Sequence, residues 1–347
     1  MDPIDYDLAR YSELFMLLAA FTYTVAFLAF AWDLAKSSKT IQAVENRLEQ
    51  KQAVRQSVPA GAVGADVDKG IARDWDAEGS REAQTADAGM GYSGPRRNAA
   101  RVGVALTVLA AAIHAAAVIS RGMAAHRVPW GNMYEFCTTG ALVVAVVFLL
   151  VLTRRDLRFL GTFVLGLVLV MMMAATIGFP TPVAHLVPAL QSYWLIIHVS
   201  VAVLASALFT LTFAMSVLQL LQSDRESRIR AGRPERLRFM HIVPSAQSLE
   251  NLSYRINAVA FVLWTFTLMA GAIWAEQAWG RYWGWDTKEV WTFVIWVVYA
   301  GYLHARATRG WTGTRAAWLS IVGYLCVIFN FGIVNVFFSG LHSYSGL

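Results

Sequence analysis

The sequence predicts an all-α polytopic membrane protein, a bundle of about eight transmembrane helices. Of its 347 residues, 57% are hydrophobic and only 15% are charged, a composition typical of membrane proteins. A helix needs about 20 largely apolar residues to cross a bilayer. The stretches that approach this length are 11–32, 101–120, 134–153, 159–177, 193–220, 256–275, 289–307 and 314–338. The opening MDPIDYDLAR lacks the basic start of a cleaved signal peptide, so we expect the first stretch to remain as a helix.

The distribution of lysine and arginine predicts the orientation of these helices. If the N-terminus lies outside, the short inner segments 154–158, 221–255 and 306–315 carry 13 basic residues, and the outer segments carry 5. Cytoplasmic loops are enriched in Lys and Arg. Both termini and the tryptophan-rich segment 274–291 are therefore expected on the extracytoplasmic side. Because topology accounts for the basic excess, no nucleic-acid partner is expected; the arginine-rich inner loop is expected to touch membrane lipids.

Three regions of the chain differ in composition. Residues 1–32 contain the first transmembrane helix. Residues 33–100 carry ten basic and ten acidic residues but only two aromatic ones, too little apolar surface to fold alone. We expect a helical extension near 36–56 and then a largely disordered cytoplasmic linker. Residues 101–347 hold the remaining seven helices, with the segment 274–291 between two of them.

That segment, WAEQAWGRYWGWDTKEVW, is unusually dense in tryptophan. Trp favours the membrane interface, so an interfacial aromatic belt is one interpretation. However, Trp279, Trp283 and Trp285 fall within seven residues, with Gly280 and Gly284 between them. Glycine lets a flat ligand approach the backbone, so the segment also fits a platform for a planar aromatic ligand.

Charged residues accompany these tryptophans. Arg281 and Lys288 are candidate donors to the carboxylates of such a ligand. Asp286 and Glu289 have the D-x-x-E spacing that caps a helix beginning near Thr287, and we expect capping to be their main role.

Two histidines lie at the same end of the bundle as the tryptophans. His198 is about five residues, or roughly 7 Å, inside the fifth helix, and His342 follows the last helix. Histidine within a membrane span is costly and indicates function. Two neutral imidazoles beside an aromatic platform could supply both axial positions of a haem iron.

The other histidines carry weaker signals. His304 lies toward the inner end of the seventh helix, too deep to share an iron with His342, and a hydrogen bond between helices would explain it. We expect no ligand role for the rest: His114 in the second span, His126 and His185 in outer loops, and His241 in an inner loop.

These motifs resemble a known family. The stretch WGRYWGWDTKEVW is similar to the WWD motif of haem-handling proteins that include CcsA/ResC, the system II cytochrome c synthases (haem lyases). PWGNMYEF (129–136), WLIIHVSVAV (194–203), YLHAR (302–306) and VNVFFSGLHSY (334–344) resemble the family in the same order. The resemblance covers roughly residues 100–347. One departure is Thr287, where the family usually has proline.

The resemblance implies roles for individual residues. His198 and His342 would be the outer axial ligands of haem b, bound as a substrate. The WWD segment would be its platform, which includes Trp279, Trp283, Trp285, Asp286 and Arg281. His304 would be an inner haem ligand, matched by a histidine of a CcsB/ResB-type partner.

The implied function is cytochrome c biogenesis: delivery of haem across the membrane and its thioether attachment to the CxxCH motif of apocytochrome c. A thiol-reducing thioredoxin-like protein would be a further partner. The implied location is the plasma membrane of a bacterium, or the thylakoid membrane in a plastid relative. Two alternatives are a haem transporter or chaperone that does not form the bond, and a membrane electron-transfer subunit with b-type haem.

Overall fold

The computed structural model describes residues 3–57, 90–92, 97–186, 188–234, 237–308 and 310–342, and these ranges contain helices and no strand. The helices are α1 (Tyr6–Ser57), α2 (Asn98–Ala124), α3 (Met133–Leu152), α4 (Gly161–Met173), α5 (Tyr193–Arg230), α6 (Ala246–Trp279), α7 (Thr287–Thr308) and α8 (Thr314–Ile328). The predicted helical extension near 36–56 is confirmed, because α1 continues without a break to Ser57. The linker expected after it falls mostly at 58–89, outside the described residues.

Of the eight helices in the described residues, seven, with the short turns that continue them, are long and apolar enough to cross a membrane. The exception is α7, which begins with Lys288 and Glu289 and ends near Arg306. Its apolar interior is interrupted by tryptophans and tyrosines, which lower its hydropathy. The polytopic helical bundle predicted from the sequence is confirmed, and α7 is its least apolar member.

The two largest apolar cores of the described residues share α5. In the first core, α1 packs against α2 and α4, and the Phe30 ring of α1 meets Phe148 of α3 edge-on, with centroids 6.4 Å apart. A Cβ on Gly161 would come within 2.5 Å of that ring, so the glycine permits the close approach of α1 and α4. In the second core, Phe209 of α5 stacks on Tyr299 of α7 with ring centroids 3.8 Å apart. This second core holds α5 to α8 together and supports the end of the bundle where the tryptophans lie.

Two helices depart from α-helical geometry near that end. Helix α4 continues as a π-helical turn, Ala174–Gly178. Helix α8 continues through a longer π-helical stretch, Phe329–Val334, into the single turn Asn335–Phe337. Turns of π-helix are rare in proteins as a whole, and those that occur are often found at functional sites. Here the second one carries Asn330 and Phe331, which face the cavity described next.

Candidate functional site

A large cavity opens where α5 and α7 begin and α6 ends. Its empty volume, including the open mouth, is about 1090 Å³, which is the scale of a site for an organic ligand. Most of its wall is apolar or aromatic. The residues of the wall used below are Trp130, His198, Gly271, Trp274, Trp283, Lys288, Glu289, Asn330, Phe331 and His342.

His198 stands in the second turn of α5, and the Ser192 side chain caps that helix by accepting a hydrogen bond from the Trp194 amide (3.2 Å). The Nδ1 of His198 lies 2.9 Å from the carbonyl oxygen of Thr267 on α6. Because a carbonyl only accepts, Nδ1 carries the proton, and Nε2 keeps a lone pair for a metal. The ring fits only because residue 271 is glycine: a Cβ there would lie 2.7 Å from His198 Cε1.

His342 reaches the cavity from the turn after α8. Its Nδ1 lies 2.6 Å from Asp286 Oδ2, with the two side chains 19% and 8% exposed. The hydrogen bond from His342 lowers the pKa of Asp286, helped by the Leu341 and Lys288 backbone amides and opposed by partial burial. The ionised carboxylate therefore accepts a hydrogen bond from Nδ1–H, and Nε2 of His342 keeps its lone pair. A Cβ on Gly340 would collide with the same carboxylate.

Trp274 contacts the rings of both histidines. Its ring is nearly parallel to His198, with centroids 6.0 Å apart and an interplanar angle of 10°. It meets the edge of His342 at 5.6 Å and 62°. Trp279 packs on His342 from another side, at 4.8 Å. These aromatic contacts hold both imidazoles in place at the cavity.

The loop between α6 and α7 is shaped by unusual backbone conformations. Gly280 ends α6 with φ of 70°, a left-handed conformation that glycine adopts without strain. Trp285 also has positive φ, 59°, and its side chain is 77% exposed. Trp283 turns inward and belongs to the cavity wall. The three predicted platform tryptophans therefore divide: one lies in the wall, one packs behind His342, and one faces outward.

The predicted capping of α7 is confirmed for Glu289, whereas the main partner of the Asp286 carboxylate is His342. The buried Glu289 carboxylate accepts hydrogen bonds from the Asp286 amide (3.1 Å) and the Gly284 amide (2.8 Å) through Oε2. Asp286 adds a role that the spacing did not predict, since its carboxylate holds His342. Arg281 is exposed, and its guanidinium lies against the Gly284 carbonyl (3.4 Å) at the rim.

A buried ion network supports the opposite wall, from 129 to 136. Glu135 is fully buried and bonds Arg121 at 3.0 Å and Arg127 at 2.7 Å. It also accepts the Gly131 amide (2.7 Å), and Arg121 reaches the Thr181 carbonyl (2.7 Å). Gly131 and its neighbours line the cavity, so this network holds part of the wall in place. The motif PWGNMYEF contains Glu135, but nothing in the sequence signals that two arginines converge on it.

His304 lies far from this cavity. It is exposed near the other end of α7, about 25 Å from the start of the helix at 1.5 Å per residue. His114 is the opposite case: it is fully buried between α1 and α3, edge-on to Tyr23 at 5.8 Å. The structure thus joins His198 and His342 in one site and leaves His304 apart from it.

The residues of the cavity fit haem. The described residues contain no group of three or more His, Cys, Asp or Glu able to hold a bare metal ion. Two imidazoles are nevertheless sufficient for an iron whose other four ligands come from a porphyrin. The flat walls formed by Trp274 and Trp283 suit the ring, and the lone pairs on His198 and His342 suit the metal.

Comparison with known proteins agrees with this geometry. The family described as cytochrome C assembly protein matches residues 130–342, which include every part of the cavity. Relatives of this chain include proteins named cytochrome c biogenesis protein CcsA, of which three are compared below. The one from Prochlorococcus marinus is 40% identical over 179 residues, 46% of this chain and 57% of that protein. The one from Guillardia theta is 34% identical over 267 residues, 72% and 88% of the two chains. The one from Synechococcus sp. (strain RCC307) is 33% identical over 269 residues, 72% and 86%.

The fold and the site therefore define a class of protein. Its members are helical membrane bundles with two histidines in a cavity beneath a tryptophan-rich loop. The chain belongs to the cytochrome c assembly protein family, among the CcsA-type cytochrome c biogenesis proteins.

Proposed function

We propose that this chain receives haem b in the cavity, with His198 and His342 as its two axial ligands, and presents it for attachment to apocytochrome c. The observation that carries the proposal is the pair of imidazoles, each with Nδ1 held by an acceptor and each packed on Trp274. Hydrogen-bonded Nδ1 atoms orient histidines that bind metals through Nε2. The location would be a bacterial plasma membrane, with the cavity on the extracytoplasmic side.

Attachment of haem requires little acid–base chemistry from this chain. When each thiol of a CxxCH motif adds to a vinyl group, sulfur bonds to one vinyl carbon and the thiol proton ends on the other. The bound ring supplies those vinyl groups and the iron that the CxxCH histidine takes over. The chain contributes proximity and orientation: Trp274 and Trp283 hold the ring plane, and His198 and His342 hold the metal.

His342 is placed to be the exchangeable ligand. It lies in a turn after α8, where a hydrogen bond to Asp286 and edge contacts with Trp274 and Trp279 hold it. His198 is part of a long helix and is wedged beside Gly271. A ligand on a turn can leave with less rearrangement than one on a packed helix. We therefore assign His342 as the position that the apocytochrome histidine replaces.

His304 is proposed as a ligand of a second, inner haem, completed by a histidine of a CcsB/ResB-type partner. Its exposure on α7 supports this, because an imidazole on the bundle surface is accessible to another chain. The segment is anchored nearby, where Arg306 pairs with the buried Glu250 of α6. Glu250 also accepts the Gly313 amide (2.8 Å) at the start of α8.

Visible spectra of the purified chain test the proposal. Reduced and oxidised spectra would be recorded alone and after co-expression with the CcsB/ResB-type partner. Sharp low-spin bands should be lost in His198→Ala and His342→Ala and kept in His126→Ala, an exposed outer histidine. Loss in His304→Ala only with the partner present would support the inner site. A wild-type chain that never acquires haem would refute the proposal.

A second assay separates bond formation from haem presentation. The chain and its partner would be co-expressed with an apocytochrome c carrying CxxCH, and covalent haem would be measured by stain after denaturing electrophoresis. Covalent product that disappears with His342→Ala supports a synthase. Haem-loaded protein without covalent product would assign the chain to haem transport or chaperoning.

A further inference from the structure

Lys288 places a positive charge in the cavity wall. Its Nζ donates to the Asn330 carbonyl and to Asn335 Oδ1, both at 2.8 Å, and lies 4.3 Å from the centre of the Phe331 ring. Both hydrogen-bond partners are neutral oxygens. In the part of the chain that the structure describes, no carboxylate forms an ion pair with this lysine. An ammonium has three N–H donors, so one is left after the two asparagines.

The surroundings of Lys288 hold it in that position. Asn335 Nδ2 contacts Met133 Sδ at 3.0 Å, which ties the lysine to the wall formed by 129–136. The Trp130 ring belongs to the same wall, and its Nε1 is buried without a hydrogen-bond partner among the described residues. A positive charge and a second donor therefore both line the cavity.

Among the described residues, no carboxylate forms a direct ion pair with this lysine, and the Asp286 charge acts on it only through space. Glu289 uses Oε2 to hold the Gly284 and Asp286 amides. Asp286 uses its carboxylate for His342. A partly buried charge without an opposite charge is costly, and a negatively charged ligand group would remove that cost. A porphyrin such as haem carries two carboxylates on one edge.

We propose that Lys288 binds a carboxylate of the haem and fixes which edge of the ring enters the cavity first. This inference rests on the proposed function, because it takes haem as the ligand of the cavity. Arg281, the other cation of the segment, is exposed and lies against the Gly284 carbonyl, so it does not anchor the ligand. The vinyl groups sit on the half of the ring away from the carboxylates. Lys288 thus turns the vinyl edge away from itself, toward an incoming thiol.

The test compares haem with haem dimethyl ester, in which both carboxylates are methylated. Ferric haem and the ester would each be titrated into the purified full-length chain and followed by the low-spin absorbance. The wild-type chain should bind the ester about tenfold or more weakly than haem, the loss expected for a charge-assisted hydrogen bond. Lys288→Met should bind haem more weakly than the wild-type chain does, by a similar factor. This variant should no longer distinguish haem from the ester. Lys288→Arg should keep the preference, and Arg281→Met is the matched control that should behave as wild type.

Each other outcome has a defined meaning. Equal binding of haem and ester by the wild-type chain would overturn the role of Lys288 and leave the proposed function intact. Loss of discrimination in Arg281→Met, with discrimination kept in Lys288→Met, would assign the anchor to the exposed arginine and overturn the inference. A wild-type chain that binds neither compound would instead refute the proposed function.

Discussion

Removal of the Asp286 carboxylate should weaken haem binding through His342 while the cavity itself remains. In Asp286→Ala, the Nδ1 of His342 loses its acceptor at 2.6 Å. The imidazole is then free to rotate and to change tautomer. The aromatic contacts with Trp274 and Trp279 remain, at 5.6 Å and 4.8 Å, and they keep the ring near its place without fixing which nitrogen faces the metal.

The expected magnitude follows from the role of the carboxylate. Loss of a hydrogen-bonded partner of a metal-binding histidine typically lowers metal affinity about 10- to 100-fold. We expect a loss toward the upper end of that range, because the carboxylate is 8% exposed and water replaces it poorly. Asp286→Asn should lose less, because an amide oxygen can still accept from Nδ1–H, although without the charge.

Haem titration of the purified variants is the assay, with the low-spin absorbance as the readout. Glu276→Gln is the matched control: it neutralises an exposed carboxylate in the last turns of α6, near the same loop. Its affinity should equal that of the wild-type chain. An Asp286→Ala variant that binds haem within about twofold of wild type would refute the argument that this carboxylate orients His342.

Three further predictions concern the supports of the site. Gly271→Ala should displace the His198 ring, because the new Cβ would lie 2.7 Å from it, and should abolish the low-spin haem spectrum although alanine favours helices. The stability that ionised Asp286 contributes should be constant above about pH 4 and should be lost as the pH falls through its lowered folded pKa; thermal unfolding of wild type and Asp286→Asn across pH 3 to 8 measures it. Glu135→Gln should destabilise the protein by about 3–5 kcal/mol, because it leaves buried arginines without their counter-charge; chemical unfolding in detergent measures it.

These predictions have controls within the chain. Gly301→Ala on α7 adds a Cβ that meets nothing within 4 Å, and it should keep the haem spectrum. For the pH prediction, a gap between the two proteins that widens at acidic pH would contradict the direction of the pKa shift. For Glu135, the exposed pair Asp224–Arg228 is the comparison: Asp224→Asn should cost less than about 1 kcal/mol, and an equal loss in both variants would contradict the importance of burial.

The helical bundle and the shared location of the two histidines could be predicted from the sequence, because both depend on periodicity and chain order. His198 and His342 are at one end whenever successive helices alternate in direction. Trp274 was not selected, because at the end of an apolar run it resembles any interfacial tryptophan. Its stacking on His198 depends on how α5 packs against α6, which no local pattern encodes.

Which of the two cations faces the cavity could not be predicted from the sequence either. Arg281 and Lys288 are equivalent as candidate donors in the sequence. The loop that contains Arg281 has positive φ at Gly280 and at Trp285. Arg281 lies at the surface of this loop, and the first turn of α7 carries Lys288 into the wall.

The π-helical stretch of α8 makes part of the site depend on helical phase. An α-helix turns by about 100° per residue, so deletion of one residue within 329–334 would rotate all that follows by that angle. Asn335 would no longer contact Lys288, and His342 would no longer lie in the cavity. Neither change would require a substitution of any residue of the site. The spacing between the second core and the C-terminal histidine is thus as restrictive as the identity of the ligands.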